Sequence, residues 1–320
     1  MERILKTWLA GIVALCLLGL AVLIFVLSYI CMRLACRCYH SVTADLNKTL
    51  DRPDYRECKE QILKGRDWIE AQQPETVEIP SFDGLCLRAE LIVHPHARGT
   101  LMLFHGWYGS TVTDFGYAIQ EYYDRNLNLL LVHQRAQGRS EGRYMTFGIR
   151  ERHDVHSWTK WHAAHFGQEL PIVLAGLSMG ATTVLMACGE PFDEKVRGVI
   201  ADCGFTTPHD IITSVVRSMH LPAKLIVPLI GMQTRLFAGF GLREYSTIEA
   251  MRHMTLPIFF AHGEADTFVP CRMSVEAYEA CQSKDKILLL APNATHGKSF
   301  PRAPEKYRAC LNDLFDRALS

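Results

Sequence analysis

The densest chemistry in the chain lies in five residues, Gly176-Leu177-Ser178-Met179-Gly180. They follow a short apolar run, Ile172 to Ala175, and precede a small-residue segment, Ala181 to Gly189, which is the order strand, tight turn, helix. A serine at the apex of such a turn is held in a strained backbone conformation with its hydroxyl exposed, and glycines two residues to either side let strand and helix pass without side-chain collision. A hydroxyl is a poor nucleophile until an imidazole takes its proton and a carboxylate orients that imidazole. Glycine and serine are common, so the partners must decide whether this turn is catalytic.

Two downstream segments supply partners. The apolar run Ile258 to Ala261 leads into His262-Gly263-Glu264-Ala265-Asp266, and Ile287 to Leu290 leads into Asn293-Ala294-Thr295-His296. Asp266 and His296 therefore both fall just beyond strand ends. They form a triad with Ser178: serine as nucleophile, His296 as base, Asp266 as the orienting acid. Asp202, after Val199 to Ala201, is a competing acid. Glu264 reads as a solvated or supporting carboxylate, and His105 and His262 as loop-ordering residues. An acyl-transfer transition state also needs donors for its oxyanion. The backbone N–H of Met179 is one, and that of Trp107, in the loop His105-Gly106-Trp107-Tyr108-Gly109, is the other.

The elements that must hold these groups follow from the hydropathy pattern. Val77 to Pro80 and Leu85 to Val93 form an opening hairpin around Asp83-Gly84. Short apolar runs at Thr100 to Phe104, Leu129 to Val132, Ile172 to Ala175, Val199 to Ala201, Ile258 to Ala261 and Ile287 to Leu290 alternate with helix-sized segments. That alternation predicts an α/β fold, a mostly parallel doubly wound sheet covered on both faces, with functional residues at the carboxyl ends of its strands. Residues 206–250 exceed one crossover helix and are rich in Ile, Val, Leu and Phe, which suits a helical lid over a greasy pocket or ordinary core-covering helices.

At 320 residues with 48% hydrophobic content, the chain can bury a large core. Equal acidic and basic counts, and no basic stripe interleaved with aromatics, argue against nucleic-acid binding. Residues 8–30 contain no charge and span roughly 34 Å at helical rise, enough for a hydrocarbon core of about 30 Å. Trp8 and Tyr29 sit where interfacial aromatics belong. The run is longer than a signal-peptide core and no clean cleavage site follows, so an uncleaved single-pass transmembrane anchor is expected. Arg3 and Lys6 before it balance Arg33 and Arg37 after it, so the positive-inside rule assigns no side. The expected division is a tail at 1–7, the anchor at 8–30, a linker and helix at 31–74 and the main domain at 75–318.

The eleven cysteines include no CxxC pair, and no disulfide framework is expected. Cys36 and Cys38 read as interfacial residues rather than acylation sites. His153, His156, His162 and His165 share helical spacing, but Val155, Trp158, Trp161 and Phe166 among them describe a packed helix, so no metal site is assigned. Asn47 and Asn293 stand in glycosylation sequons, and a glycan at Asn293 would crowd His296.

From about residue 75 to 318 the chain resembles the alpha/beta-hydrolase superfamily. The likeness is carried by the His105-to-Gly109 loop, by Gln134-Arg135-Ala136-Gln137-Gly138-Arg139-Ser140-Glu141-Gly142, by the serine turn, and by His262-Gly263-Glu264-Ala265-Asp266 with Val269-Pro270. The chain is most similar to membrane-tethered bacterial hydrolases of the serine-aminopeptidase-like type. Gln137 stands where relatives often carry His or Gly, in a loop taken as structural. The resemblance implies the order Ser178, Asp266, His296, favours Asp266 over Asp202, and requires no metal or organic cofactor. The expected activity is hydrolysis of a carboxylic ester with a small-molecule or lipid-like acyl group. Alternatives are an aminopeptidase-like amide hydrolase, with Glu264 or Glu244 to receive an ammonium, and a non-catalytic membrane-bound interaction module.

Overall fold

The computed structural model describes residues 1–37 and 46–319, so Cys38 lies outside the described residues and the side chain of Asn47 is likewise not described. Eight strands form one sheet: β1 Glu75–Pro80, β2 Cys86–Ile92, β3 Gly99–Phe104, β4 Leu127–His133, β5 Ile172–Leu177, β6 Val196–Asp202, β7 Ile258–Gly263 and β8 Lys286–Ala291. Their order is β1-β2-β4-β3-β5-β6-β7-β8. The β1–β2 and β2–β4 pairings are antiparallel, and all pairings from β4 onward are parallel. Every residue of β3 and β5 is buried, which is why these strands read as continuous apolar runs rather than alternating ones.

The chain order places the site. After β3 the chain steps outward to β4 and then returns past β3 to form β5, so the loops that follow β3 and β5 emerge side by side, with Phe104 opposite Gly176. This reversal opens a crevice at the strands' carboxyl ends. Leu101 and Leu103 face one apolar layer, shared with Ile119, Tyr122 and Phe315. Met102 and Phe104 face the other, which includes Trp158, Val184 and Ala250.

A third apolar cluster lies above the crevice and joins parts of the chain that are far apart in sequence: Met32 and Cys36, Met145 and Phe147, and Phe205 through Leu242. Its helices are Pro208–Ser218 and Ala223–Gln233, followed by a π-helical turn, Thr234–Ala238, that ends at Gly239 in the left-handed region (φ 71°). The last helix of the stretch expected to be lid, Thr247–Met251, belongs to the core instead, because Ala250 and Met251 pack there.

The N-terminal helix runs from Glu2 to Cys36, past both ends of the apolar run, since the flanking polar residues are good helix formers too. Residues 31–36, expected in the linker, are therefore its last turns. Its first 22 residues, Glu2 to Leu23, are exposed despite a mean hydropathy of 3.0 over its most apolar window. Ser28, Met32 and Cys36, four apart on one face, are buried against the domain. Of the linker region, Leu46–Leu50, Pro53–Arg56 and Lys59–Ala71 are helical. The cysteines among the described residues are all free thiols.

Candidate active site

Ser178 leaves β5 with φ 56° and ψ −116°, a conformation that costs a side-chain-bearing residue of order 1–3 kcal/mol and persists only where surroundings enforce it. The enforcement is visible on both flanks. A Cβ added to Gly180 would lie 1.8 Å from the Phe104 carbonyl oxygen, and one added to Gly176 would lie 2.2 Å from that of Gly180. The Ser178 N–H donates to the Asp202 carbonyl at 2.8 Å, tying the turn to β6. The helix that follows, Met179–Ala187, is buried on all sides and sits directly on the sheet.

The structure brings the three sequence-assigned side chains together. Ser178 Oγ lies 2.9 Å from His296 Nε2, and His296 Nδ1 lies 2.7 Å from Asp266 Oδ2. When Nδ1–H donates to Asp266, Nε2 is left as the acceptor for the serine proton. The Asp266 side chain is wholly buried, while that of His296 is 27% exposed and reachable by substrate. Asp266 Oδ1 accepts the N–H groups of Phe268 and Val269, each at 2.9 Å. His262, also buried, places Nε2 3.2 Å from Asp266 Oδ2 and Nδ1 2.7 Å from Ser274 Oγ. Burial works to raise the Asp266 carboxyl, but hydrogen bonds and charge from His262 and His296 overcome it and hold the group well below the usual carboxylate range. The site thus carries a fixed negative charge behind the imidazole.

Asp202 is placed elsewhere. Its Oδ1 accepts from Ser299 Oγ at 2.7 Å, and burial raises its pKa. Glu264 is exposed. His105 is buried with its pKa lowered by that burial; its Nδ1 lies 2.9 Å from the Gly106 carbonyl oxygen, and its Nε2 faces the Gln134 N–H.

Trp107 occupies a loop fixed on both sides. Gly106 N–H donates to Asp114 Oδ2 at 2.6 Å, and Tyr108 N–H donates to Gln137 Oε1 at 2.8 Å. Between them, the Trp107 N–H has no acceptor among the described residues, and neither has the Met179 N–H at the first position of its helix. Asp114 and Gln137 escaped the sequence reading. Gln137 was placed in a structural loop, and that loop is indeed held by Arg135, bidentate to Asp154 at 2.6 Å and bonded to Asp83 at 2.9 Å. Its glutamine nevertheless reaches across to orient the Trp107 turn, a contact no local pattern announces.

Above Ser178 lies a cavity of about 200 Å³ whose wall includes Phe147, Phe205, Ile212 and Val216. Cys31, Leu34 and Ala35 of the N-terminal helix complete it, and no acidic residue among the described residues lines it. The Trp107 indole donates to the Ala35 carbonyl at 2.7 Å, and Tyr108 Oη lies 2.8 Å from the Arg37 carbonyl oxygen. The sequence reading did not foresee that this helix builds the pocket.

The four spaced histidines do not converge. His156 Nε2 meets the Ala187 carbonyl oxygen at 3.1 Å, His162 Nε2 meets Thr100 Oγ1 at 2.7 Å, and the rings of His153 and His165 pack on Phe82 and Trp161. One cluster with metal-ligand proximity among the described residues is Cys203, Asp266 and His296. It fits a metal poorly, since Asp266 and His296 already bind each other and burial keeps the Cys203 thiol protonated.

A family model for the alpha/beta hydrolase fold matches residues 99–226. The chain is 25% identical over 252 residues to YqkD, an uncharacterised Bacillus subtilis protein, covering 78% of this chain and 81% of that one. It is 25% identical over 227 residues to bem46 of Schizosaccharomyces pombe, covering 69% and 70%. Among solved structures, the Pyrococcus furiosus esterase Pf2001 superposes with a TM-score of 0.65 at 22% identity, covering 78% of this chain and 94% of that one. A Pyrococcus horikoshii acylaminoacyl peptidase superposes at 0.54 with 17% identity, over 77% of this chain and 41% of that one. At such identities the solved structures speak for the fold alone. With an eight-stranded, mostly parallel sheet in this order and a serine turn after its fifth strand, the chain has the alpha/beta hydrolase fold.

Proposed function

We propose that the protein is a membrane-anchored serine hydrolase that cleaves carboxylic esters through an acyl-enzyme. Ser178 Oγ attacks the carbonyl carbon while its proton passes to His296 Nε2, and the negative charge gathering on the carbonyl oxygen is met by the N–H groups of Trp107 and Met179. The tetrahedral intermediate collapses as the ester C–O bond breaks and His296 returns the proton to the departing alcohol. Water, deprotonated by His296, then attacks the acyl carbon and releases the acid and Ser178. Asp266 keeps its charge throughout and stabilises the imidazolium. The observation that carries this reading is the continuous line from Ser178 Oγ through His296 to Asp266, at 2.9 and 2.7 Å.

The cavity favours an ester of an apolar acid over an aminopeptidase substrate. A free ammonium needs a counter-charge, whereas the wall is apolar and Glu244 is engaged with the Gly241 N–H at 2.8 Å. Retention of the N-terminal helix as an anchor is supported by its part in the wall: cleavage would remove Cys31, Leu34 and Ala35 from the pocket.

The test is fluorophosphonate labelling of the full-length protein, with turnover of acyl esters compared with that of aminoacyl amides. Labelling should vanish in Ser178→Ala, and esters should be the better substrates. Persistent labelling of that variant would remove Ser178 from its role. A wild-type protein inert to every serine-directed probe would favour the non-catalytic module, and faster aminoacyl-amide turnover would favour the peptidase.

A further inference from the structure

The lid runs alongside the anchor helix rather than merely beneath it. Gln233 Nε2 donates to the Phe25 carbonyl at 3.1 Å and to Ser28 Oγ at 2.9 Å, and the rings of Tyr29 and Phe237 meet edge to face at 5.1 Å. At helical rise, Phe25 lies about 7.5 Å inside Ile30, the end of the uncharged run. Gln233 and Phe237 therefore stand at the depth of the anchor's apolar segment. On the outside of the lid at this level, Met232 is 47% exposed, Leu236 69% and Phe237 41%, with Leu225 at 62% nearby. An exposed apolar surface of this kind, continuous with a helix long enough to cross a bilayer, suits hydrocarbon rather than water.

Charge points the same way. From Ile211 to Phe240 the lid carries Arg217, Lys224 and Arg235 and no Asp or Glu, the composition that suits a surface of lipid phosphates. All three are exposed. The inner side of the same helices, Ile226 and Ile230, lines the cavity over Ser178 together with Cys31, Leu34 and Ala35 of the anchor. The cavity is thus walled by the two elements that reach into the membrane plane.

We infer that the substrate is an acyl ester resident in the bilayer, drawn sideways into the pocket between anchor and lid, and that the last turns of the anchor form part of the acyl-binding wall. This rests on the ester-hydrolase reading above and adds to it a source and a route. The anchor's hydrogen bond to the Trp107 indole also ties it to the loop that holds the oxyanion donor.

The test uses the full-length protein in phosphatidylcholine vesicles with two substrates, water-soluble 4-nitrophenyl acetate and a fluorogenic palmitoyl ester embedded in the same membrane. Leu225→Glu with Leu236→Glu alters the outer lid away from the cavity. It should leave acetate turnover unchanged and lower palmitoyl-ester turnover by about tenfold, because charge in the apolar face weakens its seating in the membrane. Delivering the palmitoyl ester on albumin to protein in detergent should abolish that difference. Cys31→Trp fills the anchor's side of the cavity and should lower the palmitoyl-to-acetyl rate ratio by about tenfold or more, since pockets discriminate at that scale per few methylenes. If both variants leave the ratio untouched, or if the lid variant loses equally with albumin-delivered ester, lateral access is wrong while ester hydrolysis stands. If the wild-type protein cleaves neither ester, the ester reading itself is wrong and this inference falls with it.

Discussion

The sheet edge that holds Ser178, Asp266 and His296 and the apolar chamber above it are built on different plans. The edge is made of short local motifs, each placed by a strand end, and its geometry is enforced by backbone: positive φ at Ser178, close passage at Gly180, N–H groups fixing Asp266. The chamber is made mostly of side chains from the N-terminal helix, the Phe147 loop, the region after β6 and the lid, which share no motif, and it meets the edge at Trp107, Ser178 and Phe268. For the proposed hydrolase, the contrast teaches that reactivity would be local and backbone-enforced, whereas substrate choice would be distributed over elements that only tertiary packing brings together.

That division makes separable predictions. Ser178→Ala should lower kcat by on the order of 10⁶, as loss of a nucleophile does elsewhere, while a long-chain amide binds the chamber almost as well as before. A parallel collapse in binding, read by competition, would mean the two regions are not independent. Asp266→Asn should lower kcat by on the order of 10⁴ through loss of the imidazole's orientation, whereas Asp202→Asn should change it less than about tenfold. Reversal of the two in steady-state kinetics would hand the acid's role to Asp202.

Gly180→Ala should destabilise the fold by roughly 1–3 kcal/mol or more, because its Cβ would collide with the Phe104 carbonyl and strand and turn would have to part. A melting temperature equal to the wild type's would show the turn to be more compliant than its geometry states. Gln137→Ala removes the acceptor for the Tyr108 N–H and should lower kcat by about fivefold with KM little changed, matching a hydrogen bond worth about 1 kcal/mol. An equal rise in KM would place Gln137 in substrate binding rather than in positioning the oxyanion loop.

The finest distinction concerns pH. The folded-state pKa of Asp266 lies well below the unfolded value near 3.9, so its contribution to stability is present above that pH and is lost as acid carries the solution down toward the folded pKa. Unfolding followed between about pH 5 and pH 2 should steepen in the wild type and be shallower in Asp266→Asn. Identical slopes would mean that other groups dominate acid lability.

Most of the framework was legible in the sequence because its signals are local. All eight strands fall on the predicted runs; β2 is shorter than expected by one residue at each end, and the other seven are a little longer, since polar residues such as Asn128, Asp202 and Lys286 complete ladders through backbone bonds that hydropathy does not register. Ser178, Asp266 and His296, which the structure brings within hydrogen-bond distance, could be singled out in the sequence because each stands beside a strand end with a recognisable turn. Asp114, Gln137 and His262's contact with Asp266 were not, because a supporting hydrogen bond depends on which loops become neighbours. The lid was read too broadly: Thr247–Met251 has the same apolar content as its neighbours, and only packing assigns it to the core.

Amino-acid order alone determined the strand succession, the serine turn, the chain order of its partners and a helix long and apolar enough to cross a membrane, all of which rest on backbone sterics and hydrophobic periodicity within windows of a few residues. The tertiary structure decided that Ser28, Met32 and Cys36 of that helix dock on the hydrolase domain and that Cys31, Leu34 and Ala35 close its pocket. Such contacts join residues more than 70 positions apart, as Trp107 is from Ala35, and burial of apolar surface, being non-directional, leaves no mark in sequence of which surfaces will meet.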